Sequence, residues 1–399
     1  MRSFLANSFA DTLVREREGR ELADYRSEFA DFEGVAYLNA SLQGPLPLAS
    51  VRASQEALEW KKRPDRLADS AYFDLPNRIR EKVSRVIAAK PEEIAVTSGA
   101  SAGLAAVAAG IDWKPGDEVL VGRGEFPAHF STWLRYEQAG KLRVRVVEPR
   151  GRFLCPEDYI AMMGPQTRVI SASLVRFDNG ARLHTPPIAE ACYKFGTALV
   201  LDLSQCAGGM PIDIRATGAT MAVASGYKWM LGPYGCGFFW IAEEWIERLP
   251  LGAVYFMALE GAHDFYSMFS RALRPVPGAR RWDSPETANF TNLAAFDTSL
   301  DLILRIGLDA VAQHVDALTA KIIECLPRDR CVLASPEERT GRGPYVCVSA
   351  TKAEQTMALY EKVRAANVHV SFRENAIRVS PFIYNTAEQI SRLMDVLSA

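Results

Sequence analysis

The chain has 399 residues, of which 48% are hydrophobic, and its 46 basic and 48 acidic side chains give a formal net charge of −2. This size and composition allow a large buried core, which excludes a disordered tail or a mini-scaffold and favours two domains. The near balance of charge excludes a global attraction to nucleic acid or to an anionic membrane, so any bound anion must be held locally.

We expect no secretory targeting segment in the N-terminal residues. The apolar stretch after Arg2 is interrupted by Asn7 and Asp11 and is too short for a signal peptide. Residues 11–32 are charged, with apolar side chains at roughly helical intervals. This spacing predicts an amphipathic helix that packs on a second lobe.

Between about residues 94 and 240, short apolar runs alternate with longer segments of helical character. The runs lack polar alternation, as expected for strands that are covered on both faces in a mostly parallel α/β sheet. The predicted strands comprise residues 94–97, 119–122, 169–174, 199–203, 222–225 and 237–241.

After about residue 290 the pattern changes to a long helix at 293–306, a second helix, and then mixed strands and helices that end in a helix from Thr386. This order is typical of a smaller α+β domain. We therefore divide the chain into three parts. They are an N-terminal segment that packs with the small domain (1–40), a large domain (41–289) and a small C-terminal domain (290–399).

Cysteine usage favours a reducing compartment. The seven cysteines form no CxxC pair, and an odd number argues against a complete disulfide framework. No run of residues approaches the length of a membrane span. We therefore expect a cytoplasmic protein that binds neither nucleic acid nor membrane, and we predict no metal site.

In an open parallel sheet, ligands bind outside the carboxyl ends of the strands, so the residues after each apolar run matter most. Residues 98–103 are Ser-Gly-Ala-Ser-Ala-Gly and lead into an alanine-rich helix. Such small residues let backbone amides at a helix N-terminus approach a phosphate, although they also form ordinary turns and caps. After the next run, Phe126 could stack on a planar cofactor or belong to the core. His129 is more typical of a structural or supporting histidine than of a catalytic base.

Asp202 ends a strongly apolar run and is followed by Gln205. A carboxylate in such a place is costly unless it meets a cation. Its functional interpretation is a partner for a protonated pyridine nitrogen, and the alternative is a carboxylate that caps a helix.

Lys228 lies between Tyr227 and Trp229, three residues after the strand that ends at Ser225 and just before a glycine-rich turn. Most lysines are solvated surface groups. An amine kept among aromatic rings has a lowered pKa, however, which is what a Schiff-base lysine and general base requires. Ser225 and Tyr227 could contact the cofactor, or they could simply complete the strand and fill the core.

These motifs occur in a recognisable order. Ser-Gly-Ala-Ser at 98–101, Glu-Phe-Pro-Ala-His at 125–129, Asp202-x-x-Gln205 and Ser-Gly-Tyr-Lys at 225–228 together resemble the class V aminotransferase family of fold-type I enzymes that depend on pyridoxal 5′-phosphate (PLP). The similarity extends from residues 37–41 to 378–386. It implies a mostly parallel seven-stranded sheet in the large domain, a smaller α+β C-terminal domain, and PLP as the cofactor.

The resemblance also implies a role for each matching residue. Lys228 would hold PLP as a Schiff base and carry the Cα proton, Asp202 would pair with the pyridine nitrogen, and Gln205 would contact the phenolic oxygen. Phe126 would stack on the ring. The phosphate would be bound by four residues, Ala100, Ser101, Ser225 and Tyr227.

Two further positions would bind the substrate, an α-amino acid. Arg378 would hold the α-carboxylate through its guanidinium group, and Asn39 is assigned to the same pocket. Thr287 corresponds to a family segment, Gly-Thr-Pro, that reaches the phosphate of the partner subunit in a homodimer. Here Glu286 replaces the glycine and Ala288 the proline. This contact therefore does not follow from the motif alone.

The type of reaction is less constrained, because PLP chemistry depends on pocket geometry. Transamination of a small amino acid is the default prediction, with epimerisation, β-elimination by a C–S lyase, or PLP binding without turnover as alternatives. A persulfide-forming desulfurase is disfavoured, because residues 368–377, where such enzymes carry a nucleophilic thiol, contain no cysteine. Residues 175–180 look closer to epimerase-like and kynureninase-like members. A nucleotide-binding α/β protein would require a GxGxxG or P-loop pattern, which the turn at 98–103 lacks.

Overall fold

The computed structural model describes residues 25–252, 254–266 and 273–399. Strands within these residues are numbered here in chain order. They are β1 (Ala36–Tyr37), β2 (Ile94–Thr97), β3 (Asp117–Gly122), β4 (Leu142–Val147), β5 (Thr167–Ser173), β6 (Ala198–Asp202), β7 (Met221–Ser225), β8 (Gly237–Ile241), β9 (Cys331–Leu333), β10 (Val346–Ala350), β11 (Val368–His369), β12 (Ser371–Arg373) and β13 (Ala376–Val379).

The α-helices of the same residues are numbered in the same way. They are α1 (Leu48–Lys62), α2 (Ala71–Val86), α3 (Ala100–Gly110), α4 (Ala128–Gln138), α5 (Pro156–Ile160), α6 (Pro186–Phe195), α7 (Glu243–Ile246), α8 (Phe290–Ile306), α9 (Leu308–Glu324), α10 (Thr356–Ala365) and α11 (Ala387–Ser398).

The larger sheet has seven strands in the order β2-β8-β7-β6-β5-β3-β4. Its strands run parallel except β8, which is antiparallel to both of its neighbours. All six predicted strands are present. The seventh, β4, was missed because Arg143 and Arg145 interrupt its apolar residues, as is common in an edge strand that is only half covered.

The sheet is buried on both faces, which explains the continuous apolar runs. Along β3, Val119 and Val121 contact one hydrophobic cluster and Leu120 contacts the other. Successive side chains of a strand point to opposite faces, so the side chain of each β3 residue packs in one of the two cores. Each fully buried valine or leucine stabilises the fold by roughly 1.5–3 kcal/mol relative to an exposed one.

A second sheet lies in the C-terminal part of the chain. It is antiparallel, with the order β12-β13-β10-β9, and it packs in one hydrophobic cluster with side chains of α9 and α11. The short strand β1 pairs in parallel with β11 and ties the N-terminal residues to this region. The predicted fold class, a mostly parallel seven-stranded sheet with a smaller α+β part, is therefore confirmed.

The helix predicted for residues 11–32 is only partly open to comparison, because residues 11–24 lie outside the described residues. For residues 25–32 the prediction is wrong, since only Arg26–Glu28 form a short 3₁₀-helix. The aromatic side chains there are held individually by other rings. Phe29 lies 5.1 Å from the ring of Tyr384, and Phe32 stacks at 5.4 Å on Tyr37.

Neither a membrane-spanning helix nor a metal site is found among the described residues. No helix among them combines the length and the apolar character needed to cross a bilayer. No group of three or more potential ligand side chains among them is arranged to hold a metal ion.

Candidate active site

A cavity of about 190 Å³ opens at the carboxyl edge of the seven-stranded sheet. It lies beside the carboxyl ends of β2, β6 and β7, three strands that run in the same direction and therefore end at the same edge of the sheet. Seven of the predicted site residues line it: Ala100, Ser101, Phe126, Asp202, Ser225, Tyr227 and Lys228.

Lys228 lies in the loop between β7 and β8, and its side chain is almost completely buried. The Nζ atom is 5.7 Å from the ring centre of Phe126 and 5.6 Å from that of Tyr227. Burial lowers the pKa of Lys228 to about 8, and the nearby charge of Asp202 opposes part of this effect. A fraction of the amine is therefore neutral near pH 7.

The loop that carries Lys228 is held by a close backbone contact. The amide of Gly44 donates to the carbonyl oxygen of Tyr227 at 2.8 Å. A Cβ atom at Gly44 would lie 2.2 Å from the carbonyl oxygen of Lys228, so only glycine fits. The backbone of this segment thereby helps to determine where the lysine side chain begins.

Asp202 is the last residue of β6, and it is surrounded by groups that favour its charged form. Its Oδ1 accepts a hydrogen bond from the Ser204 amide at 2.7 Å, and its Oδ2 lies 3.6 Å from Nε2 of His129. Burial alone raises the pKa of Asp202, but His129, Lys228 and Ser204 lower it, and the net direction is downward. The carboxylate is thus kept ionised in a buried place.

His129 is completely buried on α4. Its Nδ1 is 2.8 Å from Oγ of Ser171, and its Nε2 faces Asp202. Burial lowers the pKa of His129, but the carboxylates of Asp202 and Glu125 together raise it by more. The pKa of His129 is therefore raised overall. The sequence did not show this contact, because His129 and Asp202 are far apart in the chain.

The turn between β2 and α3 lies against the end of β7. The amide of Ala100 donates to Oγ of Ser225 at 3.2 Å, and the amide of Ser225 donates to Oγ of Ser204 at 2.9 Å. A Cβ atom at Gly103 would lie 2.5 Å from a methyl group of Val223, so this glycine lets the first turn of α3 approach the sheet. The N-terminus of an eleven-residue helix therefore faces the cavity.

Beyond the turn at 98–103, sequence reasoning missed two polar side chains that line the cavity, Ser204 and Tyr234. Ser204 lies inside the Asp202-x-x-Gln205 segment, and Tyr234 lies in the glycine-rich turn after Lys228. The Tyr234 ring is 4.7 Å from that of Tyr227. Both residues lie within or next to motifs that the sequence analysis recognised, and this position could have identified them as site residues.

Gln205 and Asn39 are buried, and neither lines the cavity. Gln205 donates through Nε2 to the Ser41 carbonyl at 3.2 Å, while its buried Oε1 has no partner. Oδ1 of Asn39 accepts from Oγ of Ser371 at 2.6 Å, which joins the N-terminal residues to β12. In this arrangement Asn39 connects two segments of the fold.

Arg378 lies on β13, with 2% of its surface exposed. Nη1 donates to the carbonyl of Phe177 at 2.9 Å, and the guanidinium carbon is 5.7 Å from the ring centre of Tyr345. Its buried Nε has no partner. Burial lowers the pKa of Arg378, which is the behaviour of a cation without a neighbouring carboxylate.

Thr287 does not line the cavity of its own chain. Its hydroxyl donates to the Ser284 carbonyl, and Oγ of Ser284 accepts from the Ser98 amide at 3.3 Å. Glu286, which replaces the family's glycine, has a φ of 55°, the left-handed conformation that glycine adopts most easily. Glu286 therefore adopts a backbone conformation that a glycine would adopt without strain.

A buried ion pair supports the loop that carries Phe126. The Glu125 carboxylate accepts from the amide and hydroxyl of Ser173 at 2.9 and 2.6 Å, and Nη1 of Arg176 is 3.3 Å from Oε1. Arg176 also pairs with Asp178 at 3.0 Å. Arg176 therefore has a supporting role in this pair.

The residues around the cavity fit PLP. The cavity combines a buried primary amine with a lowered pKa, a buried carboxylate opposite it, and small residues at the N-terminus of α3. The unpartnered buried atoms Oε1 of Gln205 and Nε of Arg378 are polar groups that a bound molecule could satisfy. An amine for the aldehyde, an anion for the pyridine nitrogen and amides for the phosphate are the three kinds of group that PLP requires.

Curated proteins similar to this chain include enzymes with different reactions. A probable cysteine desulfurase of Methanothermobacter thermautotrophicus is 29% identical over 307 residues, which cover 75% of this chain and 74% of that protein. A kynureninase of Deinococcus radiodurans is 28% identical and covers 84% of this chain and 83% of its own length. The isopenicillin N epimerase of Streptomyces clavuligerus is 27% identical, with 92% and 94% covered.

Solved structures support the fold. A complex of the cystine C–S lyase C-DES with its product cysteine persulfide aligns with a TM-score of 0.81 and 18% identity, covering 92% of this chain and 98% of that one. A variant of C-DES with glycine covalently linked to its PLP cofactor gives a TM-score of 0.83 at 18% identity, with 94% and 98% covered. At this level of identity the likeness concerns the fold.

The sequence profile described as Aminotransferase class-V matches residues 67–393, which is most of the chain. The predicted family and cofactor are therefore confirmed. The chain belongs to the aminotransferase class-V family of fold-type I PLP-dependent enzymes.

Proposed function

We propose that this chain is an enzyme that holds PLP as a Schiff base on Lys228 and acts on a small α-amino acid. The observation that carries the proposal is the placement of Lys228. Its amine is buried beside Phe126, in the same cavity as the ionised Asp202. Burial of a lysine with a pKa of about 8 lowers the stability of the folded protein. A role as a reactive amine would explain why the lysine is buried there.

The proposed cofactor contacts follow from the surrounding groups. Asp202, supported by His129, would bind the protonated pyridine nitrogen, and Phe126 would cover one face of the ring. The first turn of α3 would bind the phosphate together with Ser225 and Tyr227. When bound, PLP supplies an electron sink for negative charge that develops at the substrate Cα.

The chain's own residues would then position the substrate and move one proton. Arg378 would bind the α-carboxylate, since its guanidinium group is buried and its Nε is unpartnered. Nζ of Lys228 would accept the Cα proton. A base with a pKa near the working pH is partly unprotonated and is still basic enough to take up a proton.

We propose loss of a β-substituent, the reaction of a lyase, as the main activity. Its support is that relatives are named cysteine desulfurase and kynureninase, and that a structural neighbour is named a cystine C–S lyase. No cysteine lines the described cavity, so a β-elimination that needs no protein thiol is favoured over persulfide formation on the enzyme. Transamination and epimerisation would use the same base and are the alternatives.

A homodimer is part of the proposal, because aromatic rings extend across the surface near the cavity. Phe290 lies 5.8 Å from Trp60 and 5.1 Å from Tyr72, and Phe265 follows 6.1 Å from Tyr72. Trp60 remains 38% exposed and Tyr234, at the cavity, 74%. An aromatic group with an exposed tryptophan, together with an exposed tyrosine at the cavity, favours an interface with another chain.

The test uses the purified holoprotein in two steps. Borohydride reduction followed by peptide mapping is expected to give a phosphopyridoxyl adduct at Lys228, and an unmodified residue 228 would contradict the proposal. The protein is then incubated with β-chloro-L-alanine, with L-cystine, and with L-alanine plus an α-keto acid. Pyruvate from the first two substrates without an acceptor indicates a lyase. If product forms only in the third mixture, the lyase proposal is wrong and the protein is a transaminase.

A further inference from the structure

The hairpin β12–β13 presents two arginines on the same face. Ser371 is paired with Arg378 and Arg373 with Ala376, so the side chains of Arg373 and Arg378 lie on one side of the hairpin. The other side carries Phe372, whose ring is 5.5 Å from that of Tyr360 on α10. The two guanidinium groups therefore point away from α10.

The face with the arginines is directed toward the candidate active site. Arg378 reaches the carbonyl of Phe177 in the other part of the chain. Burial is the main cause that lowers the pKa values of Lys228 and Arg378, and the charge of Arg373 lowers both further. Arg373 lies on the same face of the hairpin as Arg378, so its positive charge adds to that of Arg378 there.

Neither arginine is neutralised by an acidic side chain of the described residues. Nη1 of Arg373 donates to the carbonyl of Phe372 at 2.7 Å, and Arg378 donates to a carbonyl as well. By contrast, the buried Arg80 and Arg176 each pair with carboxylates. Two neighbouring cations without a counter-ion repel each other and form a site for more than one negative charge.

We infer that the substrate is an α-amino acid whose side chain carries a second anionic group, and that Arg373 binds this group while Arg378 binds the α-carboxylate. The inference rests on the proposed function, because it concerns the substrate of the same site. It assigns to Arg373 a role in specificity. A neutral side chain of the same shape would leave Arg373 without its counter-ion.

The experiment compares acids with their amides as ligands of the holoprotein. The dissociation constants of L-aspartate, L-asparagine, L-glutamate and L-glutamine are measured from the change in absorbance of the bound cofactor. The wild-type protein is expected to bind at least one acid about 10- to 100-fold more tightly than its amide, the range of one charge-assisted contact. The acid and the amide have nearly the same shape, so the comparison isolates the charge.

Variants assign the preference to one residue. Arg373→Gln is expected to abolish the preference and to leave the binding of the amides within about twofold, while Arg373→Lys should keep part of it because the charge remains. Arg330→Gln serves as a matched control. Arg330 precedes β9, at the other edge of the same sheet, and it is about half exposed.

Two results would overturn the inference. One is a wild-type protein that binds the amides as tightly as the acids, and the other is an Arg373→Gln variant that loses both ligands equally. The borohydride adduct at Lys228 is measured in every variant. Absence of the adduct from the wild type would reject the proposed function itself, whereas a normal adduct without acid preference would reject only the role of Arg373.

Discussion

Lys228 connects the proposed reactivity with a cost in stability. Its pKa falls from the ordinary value of 10.5 to about 8 in the folded protein, mainly because burial disfavours the charged amine. Between these two pH values the unfolded chain binds a proton that the folded chain does not. The contribution of Lys228 to the free energy of unfolding therefore rises with pH across this window.

This difference can be measured on the protein without cofactor. From pH 8 to pH 10, the wild type should gain on the order of 2 kcal/mol in unfolding free energy relative to Lys228→Met, which cannot be protonated. Urea unfolding of both proteins at each pH provides the values, and the comparison cancels the other titrating groups. Parallel pH profiles would show that the amine of Lys228 is not perturbed.

The contact between His129 and Asp202 predicts a change in the titration of a buried histidine. Asp202→Asn removes the charge that raises the pKa of His129, so the pKa should fall, even though Glu125 still raises it. Nuclear magnetic resonance of labelled histidine gives this pKa directly. Asp213→Asn, at an exposed position, is the control and should leave the titration unchanged. An unchanged pKa in Asp202→Asn would mean that the two side chains do not interact.

The sequence predicted those site residues that follow directly after strands. Ser225 and Lys228 were found because apolar runs end just before them, and parallel strands bring such ends to one edge. The contact between His129 and Asp202 was not predictable, because it depends on which strands are neighbours. The same holds for Arg373, whose position relative to Lys228 depends on how the second sheet faces the first.

At the scale of elements, the edge strand β2 is protected by a segment far along the chain. Oδ1 of Asp283 accepts from the Val96 amide at 2.9 Å, and the Ser284 amide donates to the Val96 carbonyl at 3.0 Å. Arg80 of α2 binds both oxygens of Asp283 at 2.7 Å. This buried ion pair holds the helix, the strand and the segment together, and it covers an edge that would otherwise be open to pairing.

Removal of one member of this pair should be costly. Asp283→Ala leaves the buried charge of Arg80 without its counter-ion and the Val96 amide without a partner, and we expect a loss of about 3–5 kcal/mol in the free energy of unfolding. Asp65→Ala removes the exposed ion pair with Arg63 and should cost far less, because water screens an exposed pair. Urea unfolding compares the two. Equal losses would show that the buried pair has no special role.

The elements that the sequence predicted well are those with one dominant physical cause. Strands buried on both faces gave continuous apolar runs, and α11 begins where Thr386 and Gln389 form a capping box. Strand β4 was missed because its arginines mimic a surface segment. Residues 25–32 were assigned to a helix because Phe29 and Phe32 have helical spacing, whereas both rings contact Tyr384, which is far along the chain.

At the scale of the whole molecule, the open question is whether one chain forms a complete site. The described cavity has Tyr234 at its rim, 74% exposed, and connected aromatic rings nearby. Thr287 lies in a segment held to the Ser98 amide through Ser284, yet it does not line the cavity of its own chain. A partner chain that contributes Thr287 would account for both observations.

Mixed dimers test this arrangement. Lys228→Ala lacks the proposed Schiff-base lysine, and Thr287→Val lacks the hydroxyl that would reach the partner's cofactor. If the hydroxyl acts across the interface, a mixed dimer contains one complete site, with Lys228 from one chain and Thr287 from the other. Mixing the two inactive or weakened proteins should therefore raise both PLP affinity and activity.

A chain that carries both substitutions, mixed with wild type, is the control, because each site of that mixed dimer lacks one of the two groups. Sedimentation equilibrium must show twice the mass of one chain, and no gain on mixing would place Thr287 outside the partner's site.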